Sequence, residues 1–261
     1  MHYEESGSGP PLVMIHGWTF SGRFFDRNVP ALAEHARVIT MDLRGHGDSG
    51  KPGHGYRIAR LAKDLHDLLA VLELHETTVL GCSLGCPVIW SYLEMFASDR
   101  LAGAVFVEQT PRQYYAVDWK YAHNACFDDA ALAALQAQVS ADSAAQDRQQ
   151  LATIMLTEPT ADEHAMFLTE MAKCRPPARN AVMADHTRAD WRDLLPTLDL
   201  PTLVLVARKD QVFDWRGPAW VGEHVPGAQT VFFEHSSHAL FLDEPEKFNQ
   251  VVADFVAHQR A

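Results

Sequence analysis

The sequence of 261 residues predicts an α/β protein in which helices cover both faces of a central, mostly parallel sheet. Three observations support this class. Short, β-branched runs are apolar without alternation, amphipathic helical patterns lie between them, and one glycine-rich turn joins a run directly to a helix. Strands that are apolar on both sides are typical of a sheet that is covered on both faces. Their alternation with helices indicates βαβ units.

Six runs are predicted to be strands, because each is short and is apolar without a polar alternate face. Helical periodicity, with apolar side chains at i, i+3, i+4 and i+7, appears between the second and third runs and again near the C-terminus. A further helical run directly follows the third strand. The predicted strands are residues 12–16, 37–41, 78–81, 103–108, 202–207 and 229–233, and the helical patterns cover residues 57–74, 88–96 and 248–255.

The alternation stops between residues 111 and 195. This segment is rich in Ala, Gln, Asp and Met, and it has helical periodicity at residues 130–139 and 164–173 but no strand-like run. Pro159 and the pair Pro176-Pro177 punctuate it, as expected of connections between helices. We therefore predict a core domain of residues 1–110 and 196–261. A helical lid of residues 111–195 is inserted after the strand that ends near Glu108.

The charge balance argues against polyanionic partners. Lys and Arg number 22 against 34 Asp and Glu, which gives a net charge of −12. Such a field repels phosphate backbones and anionic lipid surfaces, so the prediction is a small-molecule substrate, with no nucleic acid and no membrane. The apolar runs are too short to span a bilayer. An N-terminus without a basic start or an apolar stretch, and four scattered cysteines, predict a cytoplasmic location. The oligomeric state is left open.

The motif with the clearest chemistry is Gly81-Cys-Ser-Leu-Gly85, which lies between a predicted strand and a predicted helix. Gly-x-Ser-x-Gly in this context is a nucleophile elbow, a sharp turn that presents the serine. The glycines remove Cβ atoms that would clash with neighbouring backbone. The start of the helix directs N–H groups at charge that develops on a bound carbonyl oxygen. Ser83 is therefore the candidate nucleophile.

A serine hydroxyl needs a base, and the base needs an acid that orients it. Among 14 histidines, His238 lies just past the last predicted strand and a short distance before the terminal helix. His235 is the alternative. The chain order Ser, acid, His expected of this architecture places the acid before the base.

The acid is predicted to follow the strand at residues 202–207, where Asp210 comes three residues after Ala207. Asp214 is a nearby alternative. Glu108, at the end of another strand, is a second alternative because parallel strands end at one edge of the sheet. The oxyanion hole is predicted from the N–H of Leu84, after the nucleophile, and the N–H of Trp18, in the loop after the first predicted strand.

Together these segments resemble the α/β-hydrolase superfamily over essentially the whole chain outside residues 111–195. The similarity is greatest to small esterases, lactonases, non-haem peroxidases or perhydrolases, and C–C bond hydrolases. It implies a mostly parallel sheet with a helical lid, and Ser83, Asp210 and His238 as a catalytic triad. Two departures are a short N-terminal segment ahead of Gly7 and cysteines flanking the elbow. The segments that carry the resemblance are His16-Gly-Trp18, residues 42–52, Gly81-Cys-Ser-Leu-Gly85, Asp210 and His238.

Serine at the elbow favours attack on a carbonyl, whereas dehalogenases and epoxide hydrolases of the superfamily use aspartate there. The leading function is therefore hydrolysis of a carboxylic ester or lactone of a small, apolar substrate through an acyl-enzyme. The alternatives are a C–C bond hydrolase, or a cofactor-free oxygenase or perhydrolase in which His238 is the base and Ser83 positions the substrate. A non-enzymatic receptor is a third class, but binding alone does not need all three triad residues.

Neither a metal nor a cofactor is predicted. Cys82 and Cys86 have no second ligand pair after them, and His235 and His238 have no carboxylate partners at ligand spacing. The lid is expected to set the substrate through aromatic and methionine side chains in an apolar cleft. The residues predicted to bind substrate are Tyr114, Trp119, Phe127, Met155 and Phe167.

Overall fold

The computed structural model describes residues 1–258 and contains a seven-stranded sheet in the order β1-β3-β2-β4-β5-β6-β7. Strand β1 is antiparallel to β3, and the other neighbouring pairs are parallel. All six predicted strands are present, and the predicted mostly parallel sheet is confirmed. The strands are β1 Tyr3–Ser6, β2 Pro11–Ile15, β3 Arg37–Met41, β4 Thr77–Cys82, β5 Leu101–Val107, β6 Thr202–Ala207 and β7 Gln229–Phe233.

Helices connect the strands and cover the sheet. None of the helices described over residues 1–258 has the length and apolar character needed to cross a membrane. Two short 3-10 helices, Gly22–Phe25 and Leu195–Thr197, accompany them. The α-helices are α1 Val29–Leu32, α2 Ile58–Val71, α3 Gly85–Phe96, α4 Asp129–Ala141, α5 Ser143–Ile154, α6 Ala161–Ala172, α7 Pro176–Arg188, α8 Arg216–His224, α9 Leu240–Asp243 and α10 Pro245–His258.

Strand β1 is the one strand that the sequence patterns did not predict. All four of its residues are exposed, and it pairs with β3 at the edge of the sheet, where Tyr3 lies opposite Met41. An edge strand with a solvated surface carries no apolar run, because pairing through its backbone is enough to hold it. The short N-terminal segment therefore still completes the sheet.

The inner strands are apolar throughout because they pack against helices on both faces. Val79 of β4 belongs to one buried cluster together with Leu65 of α2. The next residue, Leu80, belongs to a second cluster together with Phe248 of α10. Successive side chains of a strand point to opposite faces, so a strand with two packed faces must be apolar at every position.

Helices α4–α7 lie between β5 and β6 along the chain, inside the segment predicted to be helical. A fully buried arginine, Arg179 of α7, joins several of these elements. Its guanidinium donates to the carboxylate of Asp147 in α5 at 2.5 and 3.0 Å and to the carbonyl of Met171 in α6 at 2.6 Å. The indole N–H of Trp18, in the loop after β2, donates to the Arg179 carbonyl at 3.2 Å. The helical segment is thereby tied to the carboxyl edge of the sheet.

Candidate active site

Ser83 occupies the turn between β4 and α3. Its φ is 49°, in the left-handed region that residues with a side chain rarely adopt. Two backbone hydrogen bonds hold this conformation. The Ser83 N–H donates to Val107 O at 2.8 Å, and the Cys86 N–H donates to Ser83 O at 2.8 Å. A strained residue that its surroundings hold so firmly is typical of a functional turn.

The two glycines of the motif are required by close packing. A Cβ atom on Gly81 would lie 2.5 Å from the carbonyl carbon of Gly85. A Cβ atom on Gly85 would lie 2.4 Å from the carbonyl oxygen of Ile15 in β2. Both distances are far inside van der Waals contact, and the atoms approached belong to the backbone. Strand, turn and helix thus cross too closely at these two positions to accommodate a Cβ atom, which explains the glycines of Gly-x-Ser-x-Gly.

His238 and Asp210 form a buried pair. His238 Nδ1 lies 3.0 Å from Asp210 Oδ2, and the histidine ring is 4% exposed while the carboxylate is fully buried. The Val212 N–H donates to the other oxygen, Oδ1, at 2.7 Å. With its proton on Nδ1 and directed at the carboxylate, the ring leaves Nε2 free to accept a proton. His238 and Ser83 line the same cavity.

The alternative base, His235, and the alternative acid, Asp214, have different environments from His238 and Asp210. His235 is exposed. The Asp214 carboxylate accepts from the guanidinium of Arg216 at 2.8 Å and from its backbone N–H at 3.0 Å. The structure therefore pairs His238 with Asp210 and places His238 and Ser83 in the wall of one cavity, whereas Asp214 pairs with Arg216 and His235 does not line that cavity.

Glu108 is the third alternative, and it is fully buried beside the pair. One carboxyl oxygen accepts from the Ala207 N–H, and the other, Oε2, has no hydrogen-bond partner among the described residues. A carboxyl oxygen of Glu108 lies within 4.8 Å of ligand atoms of both Asp210 and His238. Burial, and next the charge of Asp210, raise the pKa of Glu108 well above its ordinary value, so its carboxyl group holds a proton.

The pKa of Asp210 is shifted in the opposite direction from that of Glu108, although Asp210 is also buried. Burial opposes its ionisation, but the charge and hydrogen bond of His238, together with the proton on Glu108, outweigh burial and keep the pKa of Asp210 below its ordinary value. Two neighbouring carboxyl groups thus divide into one acid and one carboxylate. The carboxylate is the one that contacts the histidine.

Trp18 and Leu84 supply backbone N–H groups beside the serine. Neither N–H donates to an acceptor within residues 1–258. A Cβ atom on Gly17 would lie 3.5 Å from Ser83 Cβ, which places the loop after β2 directly against the turn. Leu84 lies at the N-terminus of α3, where the helix dipole favours negative charge. Both N–H groups are thus left without an acceptor among the described residues, close to the turn that carries Ser83.

The cavity beside Ser83 has a volume of about 130 Å³ and is partly apolar and partly polar. No Lys, Arg, Asp or Glu lines it within the described part of the chain. Its surface is mainly apolar, and amide and imidazole groups also contribute to it. The lining residues are Trp18, Phe20, Ser83, Gln113, His123, Asn124, Ala125, Leu135, Gln146, Gln149, Gln150, Thr153, Ile154, Met183, His186, Gln211, Val212 and His238.

The five side chains predicted to bind substrate are absent from this wall. Phe167 packs its ring 4.6 Å from that of Phe24, and Trp119 donates from its indole to the carbonyl of Arg112. Those contacts place the two aromatic rings in packing around other parts of the fold. The structure therefore does not place the predicted substrate-binding residues in the cavity beside Ser83. These residues are Tyr114, Trp119, Phe127, Met155 and Phe167.

Sequence reasoning missed the polar part of the wall. Gln146 in α5 and His186 in α7 are buried, and Gln113 and His123 lie in the connection before α4. The available signal was weak, because the buried faces of α5 and α7 also carry Asp147, Arg179 and Thr187 beside their apolar residues. The predicted substrate-binding residues were all aromatic or methionine, so they included none of these polar side chains.

Comparisons with known proteins agree with this architecture. A family model described as alpha/beta hydrolase fold matches residues 10–245. The chain is similar to the pimeloyl-[acyl-carrier protein] methyl ester esterase of Vibrio campbellii, with 28% identity over 98% of each chain.

Solved structures are similar over the same length. An esterase from Exiguobacterium antarcticum has a TM-score of 0.92 and 26% identity, and the match covers 98% of this chain and 95% of that one. A bromoperoxidase from Bacillus anthracis has a TM-score of 0.90 and 28% identity, with coverages of 98% and 94%. The family match spans nearly the whole chain, and the sheet has the topology described above. The chain therefore belongs to the alpha/beta hydrolase fold family.

Proposed function

We propose that this protein hydrolyses a carboxylic ester or lactone of a small substrate through an acyl-enzyme on Ser83. The observation that carries the proposal is that His238, paired with the buried carboxylate of Asp210, lines the same cavity as Ser83. The similarity to a methyl ester esterase and to an esterase of known structure supports the reaction class. A serine oxygen attacks carbonyl carbon, which favours esters and lactones over substrates that react at saturated carbon.

In this mechanism His238 takes the proton of Ser83 at Nε2 as the serine oxygen attacks the carbonyl carbon. Asp210 holds the imidazole in the required tautomer and stabilises the imidazolium that forms. The N–H groups of Trp18 and Leu84 stabilise the oxyanion of the tetrahedral intermediate. His238 returns the proton to the leaving alcohol. Water activated by His238 then cleaves the acyl-enzyme and releases the acid.

The predicted lid forms part of this proposal. Helices that follow β5 contribute Leu135, Gln146 and Met183 to the cavity wall, while the core contributes Ser83 and His238. A cavity that both parts line supports a role of residues 111–195 in enclosing the substrate and excluding water.

A fluorophosphonate probe tests the acyl-enzyme. We expect one covalent adduct on the folded wild type by intact mass, and none on Ser83→Ala. The control is Ser91→Ala, which removes another buried serine hydroxyl eight positions further along the chain. It should still form the adduct. An adduct of equal yield on Ser83→Ala, or no adduct on the wild type, contradicts the proposal.

The bromoperoxidase relative favours a second candidate, a cofactor-free oxygenase or perhydrolase on the same fold. In that reaction His238 is the base and Ser83 only positions the substrate. The measurement is turnover by Ser83→Ala with hydrogen peroxide and a carboxylic acid. Retained turnover supports the second candidate, whereas a loss of more than about a hundredfold supports the acyl-enzyme.

A further inference from the structure

Two histidines outside the Ser83–His238–Asp210 group, His123 and His186, line the cavity. The hydrogen bonds of His186 fix its tautomer. The Cys126 thiol donates to Oε1 of Gln113 at 3.6 Å, which leaves the amide nitrogen of Gln113 to donate to His186 Nε2 at 2.6 Å. The proton of His186 is therefore on Nδ1. This nitrogen is buried and has no partner within residues 1–258.

The tautomer of His123 is fixed in the opposite sense. Its Nδ1 accepts from the N–H of Ala125 at 2.9 Å and from the N–H of Cys126 at 3.3 Å. Nδ1 therefore carries no proton, and Nε2 does. No acceptor in the described part of the chain pairs with that Nε2–H. Each of the two rings thus has one N–H donor that the protein leaves unused.

Both rings are uncharged at neutral pH. Burial, and next the neighbouring His123, lower the pKa of His186 to about 3. Burial, and next the neighbouring His238, lower the pKa of His123 to about 4. The two donors therefore act as hydrogen-bond donors and do not act as cations.

These donors restrict what the cavity can hold. An alkyl group would leave a buried N–H unpaired, which costs free energy. A carboxylate would meet no Lys or Arg among the lining residues that the structure describes, in a protein of net charge −12. Gln146, which also lines the cavity, adds an uncharged amide. The wall therefore matches an uncharged oxygen acceptor such as a ketone, ether or ester oxygen.

We infer that the cavity binds an uncharged substrate with an oxygen acceptor, separate from the carbonyl that Ser83 attacks, that pairs with the free N–H groups of His123 and His186. This inference deepens the proposed ester hydrolysis and rests on it for the attacked carbonyl. His123 and His186 are then specificity-determining residues. They contact the substrate away from the bond that breaks.

Methyl esters of matched chain length test the preference. The keto esters methyl acetoacetate and methyl levulinate are compared with methyl butanoate and methyl pentanoate, with proton release as the readout. We expect at least one keto ester to exceed its alkyl partner in kcat/KM by about tenfold or more, because the alkyl ester leaves a buried donor unpaired. Monomethyl succinate, which replaces the terminal methyl of levulinate by a charged oxygen, should be the poorest substrate. Equal rates for keto and alkyl esters, or fastest cleavage of the succinate, overturn the inference.

Three variants assign the preference to the histidines. His186→Leu and His123→Leu should each reduce the keto-to-alkyl ratio of kcat/KM by about fivefold or more. Met183→Leu is the matched control, because it changes an apolar side chain of the same wall on α7 and keeps both donors. It should leave the ratio unchanged. A ratio that survives in both histidine variants overturns the inference, and His186→Phe, which also has no N–H donor, replaces the leucine variant if that variant does not fold.

A binding measurement separates this inference from the proposed function. Butanone is titrated into Ser83→Ala, and proton–nitrogen correlation spectra report the imidazole N–H groups. We expect saturable shifts of the His186 and His123 N–H resonances and a weaker affinity for butanone in His186→Leu. Such binding without ester hydrolysis by the wild type would overturn the proposed function and support only the pairing of an oxygen acceptor with the two histidines. Ester hydrolysis without the keto preference would overturn only the inference.

Discussion

Glu108 and Asp210 show how two buried carboxyl groups beside one histidine acquire different protonation states. Asp210 accepts from Val212 N–H and faces His238, so its charge is stabilised. Glu108 has a single backbone donor, from Ala207, and faces the negative charge of Asp210. The difference is therefore one of hydrogen-bond partners and not of burial.

Replacing Glu108 by Gln should change the pH dependence of stability. Because burial and Asp210 raise the pKa of Glu108, the folded state retains a proton that the unfolded chain releases above pH about 4.3. The unfolded state then binds fewer protons, so this group lowers the free energy of unfolding as pH rises above that value. Glu108→Gln removes this pH-dependent loss of unfolding free energy. Its stability relative to wild type should rise between pH 4.5 and 7 with a slope of up to about 1.4 kcal/mol per pH unit.

Urea unfolding over that pH range measures the slope. Glu94→Gln, on the exposed face of α3, removes a carboxyl group of the same chemistry and should give a difference that is nearly independent of pH. If the curves of Glu108→Gln and wild type stay parallel across the range, Glu108 does not hold a proton in the folded state.

Asp210→Asn should reduce kcat for ester hydrolysis by about 10³–10⁴-fold with a smaller change in KM. The amide no longer stabilises the imidazolium and favours the wrong tautomer of His238. Asp214→Asn is the matched control, because that carboxylate pairs with Arg216 and does not line the cavity. It should change kcat by less than about twofold. Equal losses in the two variants would remove Asp210 from the mechanism.

At the scale of elements, the crossing of β2, the turn and α3 depends on Gly85. Gly85→Ala should lower the free energy of unfolding by about 3 kcal/mol, because the new Cβ would lie 2.4 Å from the Ile15 carbonyl oxygen. Gly50→Ala is the control, since a Cβ at that position has open space around it. Denaturant midpoints should therefore shift strongly for the first variant and little for the second. A wild-type midpoint for Gly85→Ala would show that the crossing can relax.

The buried pair of Arg179 and Asp147 connects α7 and α5. Arg179→Met should cost about 3–5 kcal/mol in unfolding free energy, because it leaves the Asp147 carboxylate buried without a partner. The double variant Arg179→Met/Asp147→Leu should recover most of that loss, since it removes both charges. Chemical denaturation of the single and double variants gives the comparison. A double variant as unstable as the single one would mean that the carbonyl contacts of Arg179 dominate.

The elements that the sequence predicted are those whose apolar patterns come from packing against the rest of the fold. The inner strands, and the helix at Ile58–Val71 with its apolar stripe, belong to this group. Strand β1 was missed because an exposed edge strand pairs with its neighbour without needing an apolar run. Strand ends and chain order were enough to select Asp210 and His238, which the structure places 3.0 Å apart.

The polar wall of the cavity could not be predicted in the same way. Whether His186 faces solvent, a helix or a cavity depends on how α7 packs against the loops of the core, and no local pattern records that. The protonation of Glu108 likewise depends on Asp210, which lies about a hundred positions away in the chain and close in space. Such properties come from long-range contacts.

At the scale of the whole molecule, buried neutral histidines should make the fold sensitive to acid. Burial is the largest cause that lowers the pKa of His16, His46, His123 and His186, to about 4 for His123 and about 3 for His186. Below pH about 6.5 the unfolded chain takes up protons that the folded state excludes. Stability from these groups is therefore complete above that pH and is lost as pH falls towards their folded pKa values.

His186→Leu tests this account through the slope of stability against pH. Each buried histidine contributes a loss of up to about 1.4 kcal/mol per pH unit below pH 6.5, so the variant should lose that much less per unit than wild type. This slope has the opposite sign to that of Glu108, so the two variants diverge from wild type in opposite directions as pH falls. His54→Gln, at an exposed position, should keep the wild-type slope. Parallel curves of unfolding free energy against pH for His186→Leu and wild type, between pH 6.5 and 4.5, would contradict this account. They would mean that His186 takes up its proton in the folded state as it does in the unfolded chain, so that its protonation contributes nothing to the acid-induced loss of stability.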